Sequence, residues 1–360
     1  MSVALVGGGL AGFTAYLTLV RGGVDPEQIA VFSPELDPAA AWRRRAAAIR
    51  QTHMRSESDG HCLPTSFPGL AVREALRRRS LRPLAQSVCD RYHPSVAEFL
   101  DHVESLHIRS GWCERILPAR VERIVAVTGG FDLDGHGPFS HVLVATGHPG
   151  LAVPEDLRED PRAVHSYEPH DYGRSVCVVG AGLAAATEWL NALASGATVI
   201  SVRRREPLRR PLNVPRQYLS KRGLRSYWRL DPDARTRLLD ELLRPSYPPG
   251  VGWDAPLVRA GKRFRVEASV NGADQVIAAT GFLRGYRHDP LLERLVAEYE
   301  LDTADRRLVL DPDCTVPALT DRSRTLAVCG VAGQYAYPAA DTLAGARYAG
   351  HAFLRRCRTR

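Results

Sequence analysis

Two short runs carry glycines at the spacing that admits a phosphate to the backbone. Near the start, "VALVGGGLAGF" places Gly7, Gly9 and Gly12 between an apolar, β-rich run (Val3 to Val6) and an apolar stretch from Phe13 to Val20. In mid-chain, "VCVVGAGLAAATEWL" repeats the arrangement with Gly180, Gly182 and Ala185. In such a turn the first glycine allows the tight bend, the second lets a pyrophosphate approach, and the third, where alanine also serves, lets the following helix pack close. The N-terminus of that helix then offers unpaired N–H groups to the phosphates. A second chemical signal follows the second turn. Its next strand, "ATVISV", ends in Arg203, Arg204 and Arg205, where a carboxylate would ordinarily accept the ribose hydroxyls of a dinucleotide. A carboxylate repels a 2′-phosphate and a guanidinium clamps it, so the mid-chain site is expected to take NADPH rather than NADH. Arg203 and Arg204 are the candidates, because successive residues leaving a strand point to opposite sides.

These residues need strand–turn–helix units to position them. Val3–Val6 and Val176–Val179 read as buried strands, the runs after each turn as helices, and Gly196 as the stop of the second helix. After the first turn, the strand in "QIAVFSPE" closes on Ser33, and Glu35, two residues on, is the candidate for an adenosine ribose. Three further segments fit the same plan. "VLVATGHPG" (142–150) and "DQVIAATGF" (274–282) are apolar strands running into Ala-Thr-Gly, and "TLAVCGVAGQYAYPAADTLAGARYAGHAF" (325–353) is a strand, a loop and a final helix.

Together these five features resemble the two-dinucleotide-binding flavoproteins, and within them the class B flavin monooxygenases, over nearly the whole chain. The resemblance implies an α/β fold of two Rossmann-like domains, the NADPH domain (151–285) inserted into a discontinuous FAD domain (1–150 and 286–360). It implies FAD held by Gly7, Gly9, Gly12, Glu35, Thr146, Gly147, Gly330, Asp341, Thr342 and Leu343. The last three begin a helix whose N-terminus faces the flavin and can stabilise negative charge there. NADPH would be held by Gly180, Gly182, Ala185, Arg203, Arg204, Thr280 and Gly281. The implied reaction is reduction of FAD by NADPH, addition of O₂ at flavin C4a as a hydroperoxide, and oxygenation of a small molecule at N or S. Motifs of the subclasses are partial: His288 stands one place late for the N-hydroxylating pattern, and only His165-Ser166 matches the stretch typical before the NADPH turn of flavin-containing monooxygenases.

In this class the polar stretch "QTHMRSESDGHCLPTSFPGLA" (51–71) corresponds to a segment lining the flavin, which makes Met54, Arg55 and Ser56 candidate flavin contacts and His61 a candidate substrate contact. The cofactor carries the hard chemistry, so no acid–base residue is singled out, and His148 and His165 are expected to be structural. Residues 212–256 form an aromatic, Pro-rich excursion beside the cofactor cleft, either a lid or a contact between copies; as a lid, Tyr227, Trp228 and Trp253 would favour an apolar substrate.

Composition narrows the alternatives. The net charge of +8 comes from arginines scattered along the chain, with only Lys221 and Lys262 as lysines, and no basic helix or stacking motif marks a nucleic-acid surface. The uncharged run at residues 2–20 holds several glycines that a membrane helix would not tolerate well, so no membrane association is expected. Seven cysteines without C-x-x-C or metal-ligand spacing read as reduced thiols of a cytoplasmic protein, with no metal site. That absence weighs against a thiol–disulfide enzyme. Two rivals stay open: a reductase of thioredoxin-reductase-like fold that passes electrons to a protein partner, and a non-catalytic FAD/NADP sensor.

Overall fold

The computed structural model describes residues 2–55, 69–88 and 92–358. Its frame is two five-stranded sheets, parallel throughout. The first has the spatial order Thr325–Val328, His141–Val144, Val3–Val6, Ile29–Phe32 and Ile116–Leu117. The second runs Phe264–Glu267, Thr198–Val202, Ser175–Val179, Gln275–Ala278 and Ala163–His165. The chain thus leaves the first sheet after Val144, builds the second, and returns to lay down its last parallel strand at the far edge. Parallel strands covered on both faces need continuous apolar runs rather than alternation. Val3–Val6, His141–Val144 and Thr325–Val328 are accordingly buried at every position.

Helices supply the cover. The first-turn helix (Leu10–Arg21) carries two threonines on its buried side, and each hydroxyl donates to the carbonyl four residues back (Thr14 to Leu10 and Thr18 to Thr14, both 2.7 Å). That internal bonding lets them lie against the closing helix, Leu343–Arg358, without an unmet polar group. The second-turn helix spans Leu183–Ala194, and Gly196 follows it at φ +92°, as the sequence reading of a stop there requires. Among the described residues no helix is long and apolar enough to cross a membrane.

The excursion between Thr198–Val202 and Phe264–Glu267 of the inserted sheet folds as helices Lys221–Trp228 and Pro232–Leu242, the latter capped by Asp231. It does not rest on its own sheet. Tyr227 Oη donates to the Tyr335 carbonyl (2.8 Å) and Trp228 Nε1 to the Ala336 carbonyl (2.7 Å). The Arg235 guanidinium lies 4.9 Å over the Tyr335 ring, and buried Arg307 pairs with Asp240 at 2.5 Å. Tyr227 is 1% exposed. The expectation that Tyr227 and Trp228 shape a substrate pocket is therefore corrected: their rings and donors clasp the excursion to the first unit, at the loop that leads into the closing helix.

Candidate cofactor sites and the cavity between them

Both glycine turns have the same geometry. Gly7 sits at φ +112° and Gly180 at φ +142°, each donating its N–H to the end of the neighbouring strand (Phe32 and Val202 carbonyls, both 2.9 Å). A β-carbon at Gly7 would lie 2.3 Å from the Ala145 carbonyl oxygen, and one at Gly180 2.3 Å from that of Ala279. At Gly12 it would meet Gly7 O at 2.0 Å, while Ala185 is accommodated with its methyl fully buried. The middle glycines differ: nothing lies within 4 Å of a β-carbon built at Gly9 or Gly182. The one place in each turn that a pyrophosphate must approach is thus open, so the residues present fit a dinucleotide at both turns.

Around the first turn, Ser33 is packed beneath Gly8, where a β-carbon would be 2.4 Å from its Oγ, and it bonds the backbone of Glu35. The Glu35 carboxylate pairs with Arg44 at 2.7 Å on the surface. Around the second, Arg203 is mostly buried; it pairs with Glu206 at 2.8 Å and lies 5.9 Å from the Trp189 ring centroid. Arg204 is exposed, and no ion pair engages it among the described residues. Arg205 is likewise exposed and without an ion pair among the described residues.

The two Ala-Thr-Gly segments meet. Ala152 N–H bonds the Gly281 carbonyl (3.0 Å) and Leu283 N–H the Gly150 carbonyl (2.9 Å), so the outgoing and returning crossings run side by side. Thr146 Oγ1 donates to Asp289 (2.5 Å), the cap of helix Pro290–Tyr299, and Thr280 Oγ1 donates to the Ala152 carbonyl. Gly147 and Gly281, at φ +78° and +80°, each face open space. Beside them Phe282 is stacked between Tyr167 (4.7 Å) and His148 (4.1 Å), with the Arg45 guanidinium 4.6 Å above it. His165 accepts the Tyr167 N–H at Nδ1 and reaches the Gly281 carbonyl through Nε2, so it braces the crossing; His288 is exposed.

The closing motif holds two unmet polar atoms. Gly330 is at φ +74° with open space before it. Thr342 caps the closing helix through Gly345 N–H (3.1 Å), and Leu343 is its first residue. Asp341 contacts Arg284 at 3.7 Å through Oδ2, yet its Oδ1 is buried without a partner. Gln334 accepts from Arg284 (3.3 Å), and its Nε2 is likewise buried and unbonded. A buried acceptor and a buried donor without partners are what a polar heterocycle would complete. Gln334 and Arg284 escaped the sequence reading. Gln334 lies within the recognised closing motif, but only the fold shows that it is buried beside Asp341.

Met54 is buried, its N–H bonded to the Pro94 carbonyl. Arg55 is not a free flavin contact. Its guanidinium donates to the carbonyls of Arg210, Pro211, Leu212 and Ser246 and to Ser246 Oγ, all within 2.7–3.1 Å. Burial, with Arg210 beside it, pulls its pKa down to about 9. Ser56 and His61 lie outside the described residues. Met54 and Arg55 do border a cavity of about 570 Å³ between the two units. Trp253 forms part of its wall, unlike Tyr227 and Trp228.

Histidines make the fold acid-sensitive. Burial, then Arg45 and Arg284, outweigh Asp341 and push His148 down to about 4; burial and then Arg73 push His102 to about 4 as well. Both are neutral when folded but take up protons near 6.5 once unfolded. Stability is therefore lost as pH falls from about 6.5 toward 4. His170 opposes this: burial is outweighed by Glu188, its pKa is raised, and its contribution is present below 6.5 and lost as pH rises. Burial lowers His165 and His351 as well, so four groups act against one and the urea midpoint is expected to be lower at pH 5 than at pH 7; an equal or higher midpoint would refute the assignment.

No protein-family model matches the chain, and no curated protein does. Solved structures do. The chain is similar to an ornithine N-hydroxylase of Kutzneria sp. 744, described with reduced FAD, NADP⁺ and L-ornithine (16% identity, 99% of each chain, TM-score 0.71). It is similar also to the ornithine hydroxylase PvdA of Pseudomonas aeruginosa (17% identity, 99% of each chain, TM-score 0.67). A third likeness is to the bacillithiol disulfide reductase Bdr of Bacillus cereus (17% identity, 98% and 97% of the two chains, TM-score 0.59). The chain shares with these structures its fold, two parallel-sheet α/β units with one inserted in the other.

Proposed function

We propose that the protein is an NADPH- and FAD-dependent monooxygenase that oxygenates a small molecule at nitrogen or sulfur. The observation that carries this reading is the pair of matching turns, each open at its middle glycine and joined by the paired Ala-Thr-Gly crossings. The first unit, 1–150 with 286–360, would hold FAD at Gly7, Gly9, Gly12, Gly147 and Gly330, with Asp341 and Gln334 completing polar contacts. The inserted unit, 151–285, would hold NADPH at Gly180, Gly182 and Gly281. Bound together, the cofactors supply hydride transfer and activation of O₂. The chain's own part is to orient both rings across the Phe282 stack and to exclude water from the crevice. Glu35 remains the candidate ribose acceptor, since its exposed pair with Arg44 is weak enough to open.

The reading is tested by purifying the full chain with added FAD. The product should be yellow, oxidise NADPH faster than NADH, and place label from isotopic O₂ in an oxidised amine or thioether. A reductase, the second reading supported by the likeness to Bdr, would oxidise NADPH without incorporating label. Specificity rests on Arg204. Losing one charge-assisted contact costs about 1.5–3 kcal/mol, so Arg204→Ser should lower kcat/KM for NADPH by about ten- to a hundredfold while leaving NADH nearly unchanged. A parallel fall for both nucleotides would remove Arg204 from the phosphate site.

A further inference from the structure

The cavity between the units carries an imbalance of charge. Its wall includes the guanidinium residues Arg50, Arg55, Arg78 and Arg82 against one carboxylate residue, Glu74, among the described residues. Glu74 is already engaged, 2.6 Å from Arg78. Arg50 pairs at 2.9 Å with Asp171, a fully exposed side chain that is not part of the wall. Among the described residues Arg55 is bonded only to uncharged oxygens and Arg82 has no ion pair. Arg50, Arg78 and Arg82 are exposed at the rim and only Arg55 is largely covered, so the excess positive charge acts as an attractive field for an anion entering the cavity. The second-turn helix lines the cavity with Leu183 and Leu190 as well as Thr187 and Asn191, and Trp253 adds an aromatic surface. Because Leu183 directly follows Gly182, the cavity borders the open second turn. Its volume suits a small organic molecule.

We propose that this cavity binds a small organic anion with an apolar body, the acid group toward the arginines and the body against Leu190 and Trp253, and that this anion is the substrate. Among the described residues the wall offers an ammonium no carboxylate besides Glu74, which Arg78 already holds. The cavity therefore selects against the cationic side chain of L-ornithine, in contrast to the ornithine hydroxylases of the same fold. That the ligand is the substrate rests on the monooxygenase reading; that the cavity takes an anion does not.

The test is calorimetric titration of the full chain with three molecules of one shape and different head charge: phenylacetate, phenylacetamide and phenethylamine, with L-ornithine as a fourth. Phenylacetate should bind about tenfold more tightly than the amide, in a salt-sensitive manner, and the two cations should not saturate. Arg82→Gln should weaken phenylacetate alone, whereas Trp253→Ala should weaken acid and amide alike. Equal affinity for acid and amide, or a preference for either cation, overturns the proposal. Competitive loss of phenylacetate binding on adding NADP⁺ or inorganic phosphate would assign the arginines to the nicotinamide's phosphates and overturn the substrate assignment. A protein that keeps the acid-over-amide order but stays colourless with FAD refutes the monooxygenase reading while sustaining the anion site.

Discussion

The Gly9→Ala chain should fold with an unchanged unfolding midpoint and emerge from purification without flavin. Gly9 has extended backbone at φ −71°, which alanine adopts freely, and its β-carbon would touch nothing within 4 Å. The protein therefore gives no reason for glycine there; only a ligand does. A methyl group in the path of a pyrophosphate costs about 1–3 kcal/mol of contact, or roughly ten- to a hundredfold in affinity. Gly12→Ala is the control with the opposite cause. Its β-carbon would be forced within 2.0 Å of the Gly7 carbonyl oxygen, so that chain should lose flavin through a damaged fold, with a lowered midpoint. Gly182→Ala should behave like Gly9→Ala at the second turn, remaining yellow but losing NADPH oxidation. If Gly9→Ala retained flavin at normal affinity, the first turn would not be a nucleotide site.

The second large effect is expected at Arg55. Replacing it with methionine keeps the apolar stem but leaves the carbonyls of Arg210, Pro211, Leu212 and Ser246 without their donor. A buried polar group left unmet costs about 1–3 kcal/mol. Relief of the repulsion with Arg210 and the half-exposed setting reduce the sum, so a loss of about 3–5 kcal/mol is expected, the range of a broken buried network. Lysine should rescue little, because one ammonium cannot fork across four carbonyls. Urea unfolding reads the loss directly. A change below about 1 kcal/mol would mean that the excursion is held elsewhere, by Tyr227, Trp228 and the Asp240–Arg307 pair.

Much of the frame was legible in the residues themselves. The glycine turns, the buried strands, Gly196 and both Ala-Thr-Gly crossings are local patterns, because turn geometry and two-sided burial act on neighbouring residues. What sequence could not show depends on contacts between distant segments. Arg55 stands next to candidate flavin contacts in the chain, yet its donors are taken by carbonyls more than 150 positions away. Tyr227 and Trp228 read as pocket aromatics because their type fits a pocket equally well; only the docking of two helices on the other unit reveals their carbonyl partners. Gln334 and Arg284 form a pair fifty residues apart. The arginine-rich wall of the cavity is likewise assembled from separate pieces, Arg78 and Arg82 from two helices and Arg50 and Arg55 from non-helical chain.

The excursion's clasp has a consequence for how the molecule melts. Two α/β units joined only by a pair of crossings would be free to lose structure one after the other. Here a segment threaded through the inserted unit is anchored by Tyr227, Trp228 and Asp240 to the loop and hairpin of the enclosing one. Neither unit can come apart without prising those anchors loose, so heating should produce one shared transition rather than two steps.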